Sequence, residues 1–287
     1  MYDSIIIGGG PAGLTAAIYL GRAGRKTLLI ERIPGGGQTG AINEVFNYPG
    51  YEKISGYELL EIMQKQALSF GVEIVMEEVS EIDAVSMIVK TRSGNEYSGK
   101  TLIVATGCKS KKLGVAGEDM LQGRGVSYCA TCDGNFYKGR VVAVVGNGEK
   151  AVSDAEYLAP IASKTYLINL NSAVAQGVET LVGSVTKLIG SPLKQIEITS
   201  EDGKAFAVDC DCLFVSTGYV PLTGLLAGQV ERDVNGYVIT DENCETTIKG
   251  VFAVGDIRVK GLRQIVTAAA DGAIAAQKAI VRAKEKN

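Results

Sequence analysis

The segment Cys129-Ala130-Thr131-Cys132-Asp133 carries the most chemistry in this chain. Two residues between the sulfurs suit a short, reversible disulfide, and a helix starting there would lower the pKa of a thiolate. Asp133 follows the second cysteine directly. The sequence contains no histidine, so any acid–base step near neutral pH must use a carboxylate, a thiol or water. Serine–histidine hydrolysis and histidine-ligated metal sites are thereby excluded. Two other readings of the pair compete: half of a zinc site, or two buried core cysteines. Zinc would need two more ligands, and the other close pair, Cys210 and Cys212, has the wrong spacing. Cys108, Cys210, Cys212 and Cys244 read as small buried hydrophobes.

A second constellation opens the chain. Gly8-Gly9-Gly10-Pro11-Ala12-Gly13 follows the apolar run Ser4–Ile7, and Glu31 closes the next apolar run. Here Gly8 allows a tight turn, Gly10 lets a pyrophosphate approach the backbone, and Gly13 lets the helix pack closely. The diphosphate would lie on the helix N-terminus and Glu31 would accept from an adenosine ribose. A related pattern, Gly146-Asn147-Gly148-Glu149-Lys150-Ala151, follows a strand-like run from Arg140.

The elements that must position these groups alternate between strand and helix. Ser4–Ile7 and Lys26–Glu31 read as strands buried on both faces of a parallel sheet, with a helix over Leu14–Ala23 between them. Tyr57–Phe70 reads as an amphipathic helix closed by Gly71, and Val72–Met76 as a strand. A hairpin is expected over Ser86–Tyr97 around Ser93-Gly94, then a strand over Thr101–Ala105. The second glycine motif predicts a helix over Ala151–Leu158. Strand Val251–Val254 ends in Gly255-Asp256 and leads to an alanine-rich helix from about Gly261 to Lys284. The fold class is α/β, with two Rossmann-like (three-layer ββα) nucleotide-binding domains, the second inserted into the first. The boundaries expected are 1–115 with 246–287 for the first domain and 116–245 for the insertion, which carries the dithiol.

The 287 residues, 46% of them hydrophobic, can bury a sizeable core, and a net charge of −3 favours neither nucleic acid nor an anionic membrane. No apolar stretch has the length to cross a bilayer, and the N-terminus begins directly with a strand. Six cysteines do not make a disulfide scaffold at this length. The expected location is cytoplasmic.

Over its whole length the chain resembles the low-molecular-weight thioredoxin reductases. The matching segments are Gly8–Gly13, Gly36-Gly37-Gln38, Asn47-Tyr48-Pro49-Gly50, Ala105-Thr106-Gly107, Cys129–Asp133, Gly255-Asp256 and Arg263-Gln264-Ile265. The resemblance implies FAD as cofactor, held by Gly8, Gly10, Pro11, Ala12, Gly13, Glu31, Gln38, Asn47, Val79, Ala105, Thr106, Gly107, Gly255, Asp256, Arg263, Gln264 and Ile265. It implies catalysis by Cys129, Cys132 and Asp133, with Cys132 as the flavin-side sulfur, thioredoxin as electron acceptor, and a homodimer. A dithiol packed against the flavin cannot at the same time meet a partner's disulfide, so the inserted domain is expected to move, with Lys112–Gly117 and Cys244–Ile248 as expected hinges.

The departures concern the second nucleotide fold. In the family a His-Arg-Arg cluster and a further arginine hold the NADPH 2′-phosphate; here the positions read Asn169-Leu170-Asn171 and Ala175. No cation remains to pair with a dianionic phosphate, and no acid to take a ribose diol. A helix-length segment after Gln176 is absent. This pattern resembles the ferredoxin-dependent branch of the family, so the expected electron donor is ferredoxin or flavodoxin, docking on a locally basic face that includes Arg258, Lys260 and Arg263. Three alternatives stand beside it: an NADPH-dependent reductase with an atypical cofactor site, a flavin dithiol oxidase that uses oxygen, and a non-enzymatic flavin-bound redox sensor or partner-binding module.

Overall fold

Alternate residues of the first strand, Tyr2–Ile7, enter two different cores. Ile6 packs among Leu14, Ala17, Leu60 and Ala276, whereas Ile5 and Ile7 pack among Ile82, Val89 and Val251. This is why the run is apolar throughout: the sheet is covered on both faces. The computed structural model describes residues 1–285 apart from Gly36, Asn43 and Ser172; Gly36, part of one matching segment, therefore lies outside the described residues. The chain divides into two units, 1–109 with 220–287, and 110–219.

In the first unit, parallel strands run in the order Glu73–Met76, Thr27–Glu31, Tyr2–Ile7, Glu96–Val104, Val251–Ala253. The hairpin and the strand after it share one long element. The start of Glu96–Val104 pairs antiparallel with Ile88–Thr91, which pairs with Val79–Asp83, and its end joins the parallel sheet. Helices Pro11–Arg22, Gly56–Ser69 and Ile265–Glu285 supply the apolar layer on one face, and the antiparallel strands cover the other. The first helix starts at Pro11 rather than Leu14, because proline at N1 surrenders no hydrogen bond. Ser55 caps the second helix by accepting from the Glu58 N–H at 3.1 Å, and Gly71 follows it at φ +76°. The last helix starts at Ile265, not near Gly261. A Cβ on its Gly272 would overlap the Ala12 carbonyl, so the last helix meets the first backbone to backbone.

The second unit repeats the plan. Its parallel strands run Glu179–Val182, Lys164–Asn169, Val141–Val145, Cys212–Val215, Val126–Ser127. Helix Glu149–Leu158 covers one face through Ala151, Ala155 and Leu158. Antiparallel strands Ser184–Ile189, Gln195–Thr199 and Ala205–Asp209 cover the other. Among the described residues, no helix lies between Asn169 and Glu179.

The boundaries differ from those expected. Residues 220–245 belong to the first unit, because Leu226, Val230 and Val238 pack with Ile5 and Ile7, and Cys244 packs with Ile6 and Phe252. Residues 110–115 belong to the second. Cys244–Ile248 is therefore no hinge: Cys244 is fully buried, and Glu245 pairs with Arg282 at 2.9 Å within the first unit. Lys112–Gly117 also lies off the crossings, which fall at 109/110 and 219/220, where Cys108–Ser110 pairs with Tyr219–Pro221.

Candidate dinucleotide and dithiol sites

The three motif glycines are needed for three different reasons. Gly8 has φ +107°, and a Cβ there would overlap the Ala105 carbonyl. A Cβ on Gly13 would overlap the Gly8 carbonyl. Gly10 has an ordinary backbone, φ −75° and ψ −176°, with open space where a Cβ would be. Pro11 and Ala12 begin the helix and are buried. Glu31 is fixed across the strands: its carboxylate accepts from the N–H groups of Gly9 at 2.6 Å, Arg32 at 2.7 Å and Ile33 at 3.1 Å.

Residues distant in sequence join this turn. The Ala105 N–H bonds the Ile7 carbonyl at 2.8 Å, the Thr106 hydroxyl donates to Leu222 at 2.7 Å, and Gly107 turns at φ +71°. Gln38 Nε2 donates to the Cys108 carbonyl at 2.5 Å, and Cys108 Sγ to the Asp256 carbonyl at 3.0 Å. Asn47 Nδ2 bonds Gln264 Oε1 at 2.9 Å, so two expected cofactor residues 217 positions apart meet directly. Arg263 donates to the Asp256 carbonyl at 3.3 Å and lies over the Tyr237 ring at 4.0 Å, and Ile265 is the first helical residue. Val79 is half-buried at the start of its strand, paired with Thr91, and packs on the apolar cluster beneath the sheet.

Asp256 tests whether these residues suit a dinucleotide. Its Oδ1 is buried and has no hydrogen-bond partner among the described residues. Burial pushes its carboxyl above the usual range, against the pull of Lys260 and Arg263. An orphaned buried acceptor needs a donor, and a cofactor hydroxyl is one. Together with the open space at Gly10, this fits FAD.

Asp271 is not among the residues expected at the site. It sits alone among alanines and glycine in the last helix, which is itself a signal: a carboxylate on an apolar face needs a partner. It accepts from the Gly255 N–H at 3.0 Å and pairs with Arg258 at 3.1 Å and Lys260 at 2.7 Å. Gly255, at φ +74°, is thereby held against Ala12. Arg258 and Lys260 are 17% and 9% exposed, so they are structural ions and not the docking cations expected. Asp271→Ala is expected to destabilise the protein by about 3 kcal/mol, because two largely buried cations lose their counterion. Thermal denaturation checks this, and a melting temperature within two degrees or so of wild type would refute it.

In the second unit, Cys129 and Cys132 form a disulfide, with Cα atoms 5.3 Å apart. Cys129 caps the short helix Ala130–Asp133, its Sγ accepting the Cys132 N–H at 3.2 Å. Asp133 Oδ2 accepts from the Ser127 hydroxyl at 2.7 Å, and burial raises the carboxyl above its ordinary range although that hydrogen bond opposes the rise. The other four cysteines are buried thiols. Burial pushes Cys108 and Cys210 each up to about 12 and Cys244 to about 11, so none is a nucleophile at neutral pH.

The second glycine motif keeps its backbone and loses its polarity. A Cβ on Gly146 would overlap the Ser216 carbonyl. Glu149 occupies the first turn of helix Glu149–Leu158, where an anionic ligand would meet like charge, and Lys150 is paired with Asp154. Asn147 Oδ1 accepts from the Leu170 N–H and the Asn147 carbonyl from Asn171 Nδ2, both at 2.8 Å, tying the glycine loop to the strand end beside it. Asn169 turns inward, donating to the Ala173 carbonyl at 2.9 Å.

The model of the pyridine nucleotide-disulphide oxidoreductase family matches residues 2–272. A thioredoxin reductase of Listeria monocytogenes is 40% identical, covering 97% of this chain and 93% of its own. One of Peptoclostridium acidaminophilum is 41% identical over 97% and 96%. The crystal structure of thioredoxin reductase from Streptococcus pyogenes superposes with a TM-score of 0.92 at 36% identity, covering 99% of both chains. With its dinucleotide turn, orphaned acceptor and disulfide, the chain belongs to this family as a low-molecular-weight thioredoxin reductase, a flavin disulfide oxidoreductase that binds FAD.

Proposed function

We propose that this enzyme reduces thioredoxin with electrons from reduced ferredoxin or flavodoxin and not from NADPH. The observation that carries this reading is the strand end Asn169–Asn171. It has no cation for a 2′-phosphate, and Leu170 and Asn171 are hydrogen-bonded to Asn147 of the glycine loop instead. Glu149 at the adjoining helix start adds repulsion for a diphosphate.

Bound FAD supplies the coupling of single-electron delivery to a two-electron product. The chain's own residues do the rest. The Cys129–Cys132 bond takes two electrons and two protons and opens to two thiols. A thiolate of Cys129 attacks the thioredoxin disulfide, forming a mixed disulfide as the first thioredoxin sulfur leaves. Cys132 then displaces the second, closing the Cys129–Cys132 bond again. Asp133, held protonated more readily than an exposed carboxyl, supplies the proton to a leaving thiolate. Plant-type ferredoxins lie near about −400 mV and thioredoxin near about −270 mV, so two electrons release on the order of 6 kcal/mol.

The test is anaerobic bleaching of the flavin absorbance by NADPH, NADH and reduced ferredoxin in parallel. Ferredoxin alone is expected to bleach it and to support thioredoxin reduction. Turnover with NADPH at ordinary enzymatic rates would overturn the proposal, and oxygen uptake with a small dithiol would favour the oxidase reading. A homodimer, a cytoplasmic location and thioredoxin as the acceptor complete the proposal. Sedimentation checks the dimer. Among the described residues no helix is long and apolar enough to cross a membrane.

A further inference from the structure

We propose that Ser127 is the positioning residue of the dithiol, holding the carboxyl of Asp133 and the backbone of Cys129 as one unit. Ser127 ends the edge strand Val126–Ser127 and is 4% exposed. Its hydroxyl has a single hydrogen. The Asp133 Oδ2 contact at 2.7 Å takes it, which leaves the longer Cys129 carbonyl contact at 3.4 Å without a proton. A lone pair of the same oxygen accepts the Cys129 N–H at 3.1 Å, and the Asp133 N–H bonds the Cys129 carbonyl at 3.1 Å. Serine, cysteine and aspartate thus close a ring, so the acid cannot swing away from the sulfur-bearing backbone.

The hydroxyl also sets when Asp133 gives up its proton. Tyr137 and Cys212 face the carboxyl, and burial raises both far enough that they stay neutral. On the helix packed against it, Lys150 is paired with Asp154, and Glu156 accepts from the Gln176 N–H. Arg140 faces Tyr137 and lies 4.0 Å from Asp211. Ser127 is the hydrogen-bond donor that favours the ionised form, and its loss must move the Asp133 midpoint upward.

This inference rests on Asp133 acting as the acid. The experiment measures kcat for thioredoxin reduction by the FAD-loaded enzyme against pH, and titrates carboxyl 13C resonances of Asp-labelled protein, with D133N identifying the Asp133 signal. An acid works only while protonated, so wild-type kcat falls as pH rises through the Asp133 midpoint. S127A is expected to shift that inflection and the 13C midpoint upward by about one pH unit with FAD content unchanged. The isosteric pair S127T and S127V separates hydroxyl from packing. S127T should stay near the wild-type midpoint and S127V should shift like S127A. Superimposable profiles for S127A, S127V and wild type would overturn the role of Ser127. A D133N enzyme that keeps the wild-type inflection would instead overturn the role of Asp133, while the 13C shift in S127A and S127V would still report the ring.

Discussion

Cys129→Ser and Cys132→Ser should each lower thioredoxin reduction by on the order of a thousandfold or more while leaving FAD bound at the wild-type level. The expectation is symmetric because the relay is a bond between two sulfurs. A serine oxygen cannot close it, and the remaining thiol can hold only one end of a two-electron exchange. The structure limits any rescue. Cys108, Cys210 and Cys244 are buried thiols pushed to about 11 or 12, and burial also raises Cys212 well above its ordinary value, so none can replace the lost sulfur near neutral pH. The dinucleotide turn lies in the other unit, so FAD content reports on folding independently of the relay. Turnover is to be measured with each electron donor, beside flavin bleaching by dithionite. Retained turnover in either single variant would remove this pair from the reaction.

Gly10→Leu and Gly13→Ala should both yield protein without FAD, for opposite reasons. Gly10 has a backbone any residue adopts, and among the described residues no atom beyond its chain neighbours stands within 4 Å of its Cβ direction. A leucine there should leave the fold intact, at a cost of about 0.5–1 kcal/mol for a poorer helix cap, and fill the space a diphosphate needs. FAD content should fall from about one per chain to under about a tenth, with circular dichroism unchanged. At Gly13 even one methyl group meets the Gly8 carbonyl. Overpacking costs about 1–3 kcal/mol where neighbours can yield, and backbone yields less than a side chain, so Gly13→Ala should lower the melting temperature as well. Full FAD occupancy in Gly10→Leu would place the diphosphate elsewhere.

Local rules made much of this protein legible. The glycine turn, the proline-started helix, the cap at Ser55 and the pair Cys129–Cys132 depend on backbone geometry over a few residues, so their spacing in the chain is already their spacing in space. The missing cations at Asn169–Asn171 are visible for the same reason, since composition at a strand end needs no fold to be read. The tertiary structure alone decided the features that depend on distant contacts. Residues 220–245 join the first unit because Leu226, Val230 and Val238 complete a core begun by Ile5 and Ile7. Arg258 and Lys260 read as surface cations until Asp271, one helix further on, takes both into a buried cluster. Asn47 meets Gln264 across 217 positions. Charge and hydrogen-bond partners are properties of proximity, and proximity between distant segments is set by packing, which no local pattern encodes.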